Sequence, residues 1–365
     1  MYYVSFALFA AILINLFIIK FSGKSTLFLD PMSGEKKQSF HKVATPRAGG
    51  ISIYVSSLFF SSFISSNLFI SILCFLPAFL YGLYEDIYGD TPQKNRLFVM
   101  AICTIFAMFF TDITIKSAGF FDIPLFIQYP LTIIGVLGIA SAINFIDGLN
   151  GLASGVSLIA LLFIGVAALL GNNYELAYSM FLLSASIVGF MVFNFPLGKI
   201  FLGDAGAYFL GYILAFSAES LAYNGSQSSE ISPWFLVALF GYPIIETIYT
   251  MLRRYNRLKK EKIKFFEAET VHLHSLVYLN VLKNNWASSF LILSVFSVIS
   301  MISFQFKDSH VYSIVVFALS IPFYLLSYNF VKNFSEIKAS FIKKEKSLSY
   351  QEHRKNKKSL SSSLK

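Results

Sequence analysis

Charge is scarce in this chain. Only 13% of its 365 residues are Asp, Glu, Lys or Arg, about half the roughly 25% of an ordinary soluble domain. Cysteine is nearly absent as well. The two present, Cys74 and Cys103, both lie inside apolar runs, which excludes a disulfide scaffold and offers no zinc-binding spacing. Low charge with 56% hydrophobic residues also excludes intrinsic disorder and a coiled coil. Internal repeats are lacking. No small-residue cleavage site follows the first apolar run, so that run reads as a retained helix rather than a signal peptide. What the chain has in excess is apolar surface, including 41 Phe. So few charges cannot cover the outside of a soluble core of this size.

A helix crosses a bilayer with about 20 mostly apolar residues. Eleven runs answer to this, at 3–21, 49–65, 68–84, 97–111, 130–146, 152–170, 176–194, 205–221, 233–252, 287–306 and 311–330. The fold class expected is therefore all-α: a polytopic integral membrane protein of about eleven transmembrane helices. Residues 1–330 form the membrane domain, and 331–365 a basic, disordered tail. An odd number of spans puts the termini on opposite sides. With the C-terminus inside, 27 of the 29 Lys and Arg residues fall on the cytoplasmic side, against Lys116 and Lys307 outside. Such an asymmetry follows the positive-inside rule and sets the N-terminus outside. In a soluble protein the net charge of +9 could indicate nucleic acid; here it is mainly an orientation signal, and no nucleic-acid partner is expected.

The cytoplasmic loops carry the polar chemistry. They hold Glu85, Asp86, Asp90, Asp147, Asn150, Asp204, His272 and His274, and Asn144 and Asn194 end their helices on the same side. One acid at a membrane boundary is ordinarily a solvated helix end. Several on one face, each beside Gly or Pro, suggest a site. In the segment from Asn144 to Gly151, Asn144 and Asp147 are three residues apart and share a helical face. Gly148 and Gly151 permit a sharp break and close backbone approach. A polar face before a Gly-rich helix start suits a diphosphate and a divalent cation. Asp204, between glycines at another helix start, either caps the helix or holds an ion. Mg²⁺ takes few protein oxygens and shares the rest with phosphates and water, so Asp204 and Asn144 could supply the protein's part. Glu85 and Asp86 repel as neighbours, which suits one of them to act as a base. His272 and His274 share one side of an extended loop, but lack the further ligands a zinc site needs. Lys42 and Arg47 bring cations to the same face, either to hold phosphate or only to set topology.

Five blocks in this order, HKVATPRAGG at 41–50, EDIYGD at 85–90, NFIDGLNGLASG at 144–155, FNFPLGKIFLGDAGAYFLG at 193–211 and HLHS at 272–275, resemble the polyprenyl-phosphate N-acetylhexosamine-1-phosphate transferases. This is the MraY/WecA-like glycosyltransferase family 4. The resemblance implies a multi-pass enzyme of the cell inner (cytoplasmic) membrane. It would move a sugar-1-phosphate from a UDP-sugar to undecaprenyl phosphate or a similar polyprenyl phosphate, releasing UMP, with Mg²⁺ or Mn²⁺ as cofactor. Its product would start a lipid-linked envelope glycan, and a homodimer is compatible with it. By position, Asp204 matches the family's metal-binding aspartate and Asn144 an asparagine that shares the metal. Glu85, Asp86, Asp147, His272 and His274 match the catalytic acids and the histidine motif. Lys42, Arg47, Asn150, Asn194, Lys199 and Phe201 fall where substrate is bound, with Phe201 similar to an aromatic that lies against uracil. Three positions depart from the pattern: Glu85 stands where Asp is usual, Gly89 fills the final acidic position of its block, and Ser275 replaces a histidine. They leave a non-catalytic membrane scaffold as the alternative. A transporter is the more distant one, because the polar residues gather on one face instead of at mid-membrane.

Overall fold

The structure, a computed structural model, describes residues 2–22, 45–89, 91–224, 231–261 and 271–334. Among these the regular elements are helices: α1 (Tyr2–Ser22), α2 (Gly49–Ser61), α3 (Ser66–Cys74), α4 (Leu76–Tyr88), α5 (Gln93–Thr111), α6 (Leu125–Ile146), α7 (Leu152–Leu170), α8 (Tyr174–Asn194), α9 (Gly203–Asn224), α10 (Pro233–Leu239), α11 (Gly241–Glu261), α12 (Leu273–Leu282), α13 (Asn285–Gln305) and α14 (His310–Phe334). Eight of them are long and apolar enough to cross a membrane. The bent pairs α3/α4 and α10/α11 bring the number to ten if each pair is one span. The chain is thus an all-helical, multi-pass membrane protein. The remaining run expected from sequence is α2. Its 13 residues rise only about 20 Å, short of a bilayer's hydrocarbon core. Proline accounts for both bends. Pro77 starts α4 after a 44° turn, and Pro243 stands just beyond the 68° break before α11; neither ring can donate the backbone hydrogen bond that would continue the preceding helix.

Burial is inverted relative to a soluble protein. Large apolar side chains such as Phe109, Phe126 and Leu326 are bare, as lipid-facing residues should be, while serines fill the interior. Ser52, Ser56 and Ser157 are buried and return their hydroxyl protons to carbonyls three or four residues back on their own helices. Small residues of this kind let helices approach where lipid offers no hydrophobic driving force. The centre of the bundle is α9, with 89% of its span window buried against 17% for α1 and α14. It packs on α2, α4, α6 and α7.

Three of those contacts are made backbone to backbone. A Cβ on Gly50 would stand 2.4 Å from the Gly206 Cα, one on Gly82 2.6 Å from the Ala205 Cα, and one on Gly211 2.4 Å from the Ala140 Cα. Overpacking costs about 1–3 kcal/mol even where side chains can shift; here the obstacle is main chain. Gly50→Val is therefore expected to reach at least the upper end of that range in detergent unfolding. Gly138→Ala, whose added methyl meets nothing within 4 Å, should melt like the parent.

The loops collect at two ends. At one, Trp234 Nε1 donates to the Ala118 carbonyl, the Ser232 N–H donates to the Lys307 carbonyl and Ser232 Oγ lies 2.8 Å from His310 Nδ1. These are the segments that the sequence assigns to the outer side. The other end brings together 45–50, 85–86, 144–151, 194–204 and 272–274. There the Gly49 and Gly50 N–H groups donate to the Phe201 and Leu202 carbonyls, and the Phe201 N–H to the Pro46 carbonyl. This pairing fixes the start of α2 against the start of α9.

Candidate active site

The acidic centre is built on the first turn of α9. Gly203 opens the helix at φ +78°, a backbone that a side chain would strain, and its Cβ would meet Asp86 Oδ2 at 2.6 Å. The close approach lets the last turn of α4 reach under α9. Asp86, with a wholly buried side chain, accepts the backbone N–H of Asp204 at 2.8 Å and of Ala205 at 3.1 Å. A carboxylate on two free N–H groups at a helix N-terminus is doubly favourable, through the hydrogen bonds and through the helix dipole. Arg47 lies beside it, 3.9 Å from Asp86 and 3.8 Å from Asp204. Asp204 itself is half-buried and accepts from Asn144 Nδ2 at 3.1 Å. Asn144 Oδ1 accepts the Tyr208 hydroxyl at 2.9 Å. Arg96 sits 4.3 Å over the Tyr208 ring and salt-bridges Glu85. The circuit closes because Glu85 and Asp86 are neighbours in sequence.

Asp147 caps the C-terminal end of α6. Burial first, and then the charge of Asp204, push its carboxyl up to about 7, with Arg47 opposing. The centre thus gathers Glu85, Asp86, Asp147 and Asp204 around Arg47 and Arg96. Among the described residues no three His, Cys, Asp or Glu side chains form a metal-binding group. The donors available are the carboxylate of Asp204 and the amide of Asn144, which turns its Nδ2 toward Asp204 and its oxygen toward the Tyr208 hydroxyl, so the amide must rotate to offer both oxygens to one ion. One carboxylate and one amide oxygen are hard donors that fit a magnesium ion completing its shell with phosphate and water.

A second group lies beside the turn after α6. The His272 ring stacks on Phe145 at 6.4 Å and on His274 at 5.4 Å, and Arg254 lies 5.6 Å over Phe145. His274 covers Gly148 so closely that a Cβ there would be 2.3 Å from its Nε2. Glu246 of α11 underlies the pair. Its carboxylate has His272 Nδ1 at 3.0 Å, and accepts the Tyr324 hydroxyl at 2.8 Å and the Leu273 N–H at 3.3 Å. Tyr328 and Arg253 both donate to the Val271 carbonyl, tying the same loop to α14 and α11.

His274 is 2% exposed, with no hydrogen-bond partner at Nδ1. Desolvation, followed by the neighbouring His272, lowers its pKa to about 3, against the pull of Glu246. It is neutral when folded at neutral pH. The unfolded chain binds a proton near the ordinary histidine pKa of about 6.5 and the native state does not, so this stabilisation is present above that value and is lost as pH falls toward the folded pKa. Between pH 7 and pH 5 the loss from this group is about 2 kcal/mol. Melting in detergent should show this slope in the parent and lack it in His274→Gln, at whatever absolute stability the variant has.

The remaining sequence candidates divide. Asn194 is buried and fully engaged with backbone, accepting the Gly151 N–H at 2.7 Å and donating to the Ile200 carbonyl at 2.8 Å. It clamps two glycine-containing loops together. Asn150 is buried; its N–H donates to Asn285 Oδ1, and its side chain lies against Gly198. Lys199 is exposed and Phe201 half-buried at the rim. Lys42, like Asp90, lies outside the described residues. Sequence reasoning passed over Arg96, Tyr208 and Tyr324 and gave Glu246 no role at the site. Arg96, Tyr208 and Glu246 stand in apolar helices, where a buried ionisable or hydrogen-bonding group is itself the signal.

The fold and this site define a class: a multi-pass membrane protein whose helix ends gather carboxylates, amides, arginines and stacked histidines at one end of the bundle. Within that class, the chain belongs to glycosyl transferase family 4, whose family model matches residues 68–221. It is 30% identical over 258 residues to an undecaprenyl-phosphate alpha-N-acetylglucosaminyl 1-phosphate transferase of Thermotoga maritima, covering 71% of this chain and 76% of that protein. It is also 30% identical over 252 residues to a probable undecaprenyl-phosphate N-acetylglucosaminyl 1-phosphate transferase of Bacillus subtilis, covering 64% of this chain and 66% of that protein. A phospho-N-acetylmuramoyl-pentapeptide-transferase of Staphylococcus epidermidis is 28% identical over 258 residues, covering 64% of this chain and 77% of that protein.

Proposed function

We propose that this chain transfers a sugar-1-phosphate, with N-acetylglucosamine-1-phosphate the default, from a UDP-sugar to undecaprenyl phosphate or a similar polyprenyl phosphate. UMP is released, and the product starts a lipid-linked envelope glycan. The observation that carries the reading is the pairing of Asp204 with Asn144 on the α9 N-terminus, in a family whose named relatives perform this kind of transfer. The muramoyl-pentapeptide is the less favoured donor, since Ser275 interrupts the histidine stretch of that branch. We place the protein in the inner membrane with eleven spans, the short α2 counted as one, the N-terminus outside and the site in the cytoplasm. The distribution of 27 of 29 basic residues supports that orientation, and the sorting of the loops between two ends supports the span order.

Asp204 and Asn144 are the residues that would hold Mg²⁺, or Mn²⁺ in its place. Such an ion, when bound, neutralises diphosphate charge and stabilises the departing UMP. Arg47, beside Asp86 and Asp204, is our candidate to bind phosphate at the same end, and Lys199 and Phe201 our candidates to receive the nucleotide. His272 is our candidate for the remaining phosphate, with His274, packed on Gly148, stacked against its ring. An oxygen of the lipid phosphate forms a bond to the sugar-bearing phosphorus as the bond to UMP breaks. A dianionic phosphate has no proton to lose, so positioning and electrostatics suffice. Asp86 serves by holding the first turn of α9. The test is to incubate purified protein with Mg²⁺, undecaprenyl phosphate and a panel of UDP-sugars, and to measure UMP. Release with at least one donor is expected; none with any donor would favour the scaffold or transporter.

A further inference from the structure

We infer that Glu246 is a positioning residue that fixes His272 with its Nδ1–H on the carboxylate and its Nε2 as the nitrogen left for phosphate. The inference rests on the transferase reading for its consequence, though not for its geometry. Glu246 lies on α11, about a turn and a half beyond the break at Phe240, and its side chain is wholly buried. A buried carboxylate is retained only where hydrogen bonds satisfy it. One oxygen takes the Tyr324 hydroxyl and the Leu273 N–H; the other has His272 Nδ1 at 3.0 Å, with Thr250 Oγ1 beside both, 3.5 Å from that oxygen and 3.3 Å from Nδ1.

These contacts do two things at once. The Leu273 N–H places the loop backbone, so the histidine is delivered at a fixed height. The His272 contact then sets the ring. A carboxylate accepts and cannot donate, so the proton between the two groups belongs on Nδ1. Nε2 is then the position that remains for a ligand; it donates to a phosphate oxygen when the ring is protonated, and in the neutral ring it can only accept. The stack on Phe145 and His274 holds the ring plane, beside the turn that follows the Asn144 helix end. An imidazole so oriented by a buried acid is the arrangement that preorganises histidine for phosphate or proton chemistry.

Glu246→Gln tests this with little change of shape. Its Nε2 can turn a donor toward His272, which then presents Nδ1 as acceptor and carries its one proton on Nε2, so that phosphate meets a neutral donor in place of an imidazolium. The expected result is a fall in kcat of about 100-fold, the scale of a misoriented acid–base group, with KM for the UDP-sugar within about twofold. Glu246→Asp, which keeps the charge, should recover part of the loss. Tyr324→Phe removes a hydrogen bond from the same carboxylate but leaves the His272 contact, and should lower kcat about tenfold less than Glu246→Gln even if its melting point falls as far. Histidine ¹⁵N spectra of the protein in nanodiscs, assigned by loss of the His272 signal in His272→Gln, read the tautomer independently of turnover. The parent should show protonated Nδ1 and Glu246→Gln a shift of the proton to Nε2. A parent His272 protonated on Nε2 alone would overturn the inference, as would equal kcat losses in Glu246→Gln and Tyr324→Phe. If the spectra are as expected but the parent releases no UMP, the orientation stands and the transferase reading fails.

Discussion

Asp204→Asn is expected to lower UMP release about a thousandfold at saturating Mg²⁺ while leaving the fold intact. The substitution keeps the side-chain shape and an oxygen for Asn144 Nδ2, so the 3.1 Å contact survives. It removes the charge that would bind the cation, and electrostatic stabilisation by a metal is worth several kcal/mol in phosphoryl chemistry. It also relieves a local repulsion, since the charge of Asp204 helps push the Asp147 carboxyl up. Melting should therefore be unchanged or raised, as when a functional site gives up stored strain. Titrating Mg²⁺ and Mn²⁺ against UMP release, beside a detergent melt, checks both halves. Full metal-dependent turnover in Asp204→Asn would remove Asp204 from the metal site.

Asp86→Asn should give the opposite pattern. The carboxylate accepts two backbone N–H groups at the start of α9 and lies beside Arg47. An amide can accept at one position but turns a donor toward the other, leaving a buried N–H unpaired. The lost charge also weakens the contact with Arg47 and with the helix dipole. Together these are worth about 3 kcal/mol, and the Asp204 backbone moves with them. Stability and transfer should fall in step. A variant that melts like the parent and loses only turnover would return Asp86 to the role of catalytic base suggested by its sequence position.

Most of the helices were legible because a span is a composition signal. Runs of about 20 apolar residues mark α5 to α9 whatever their neighbours do. Alpha2 was the exception: its glycines and serines look like part of a span, but the helix holds 13 residues and is tied to the start of α9 by the Gly49 and Gly50 N–H groups, contacts a hydropathy pattern does not record. The candidate residues were legible where glycine marked them. Gly203 beside Asp204, and Gly148 beside Asp147, each announce a backbone brought close to something polar. What could not be read was the division of labour. Sequence places Asp86 and Asp204 alike beside small residues; only the structure puts one beneath a helix end and the other beside Asn144. Asn194 carries the same amide as Asn144 but is bound to the Gly151 N–H and the Ile200 carbonyl. Glu246 lies 26 residues before His272 and 78 before Tyr324, and it meets both from α11, beyond the 68° break that follows α10.

The central claim is that a whole sugar-1-phosphate moves, and the fate of one phosphorus decides it. UDP-N-acetylglucosamine labelled with ³²P at the β position, and then the other UDP-sugars so labelled, should be incubated with the purified protein, undecaprenyl phosphate and Mg²⁺. Transfer of sugar-1-phosphate puts the label in the lipid fraction, in step with unlabelled UMP. Label retained in UDP while sugar enters the lipid would mean transfer of the sugar alone, and label left in every donor would mean no transfer; either result contradicts the account.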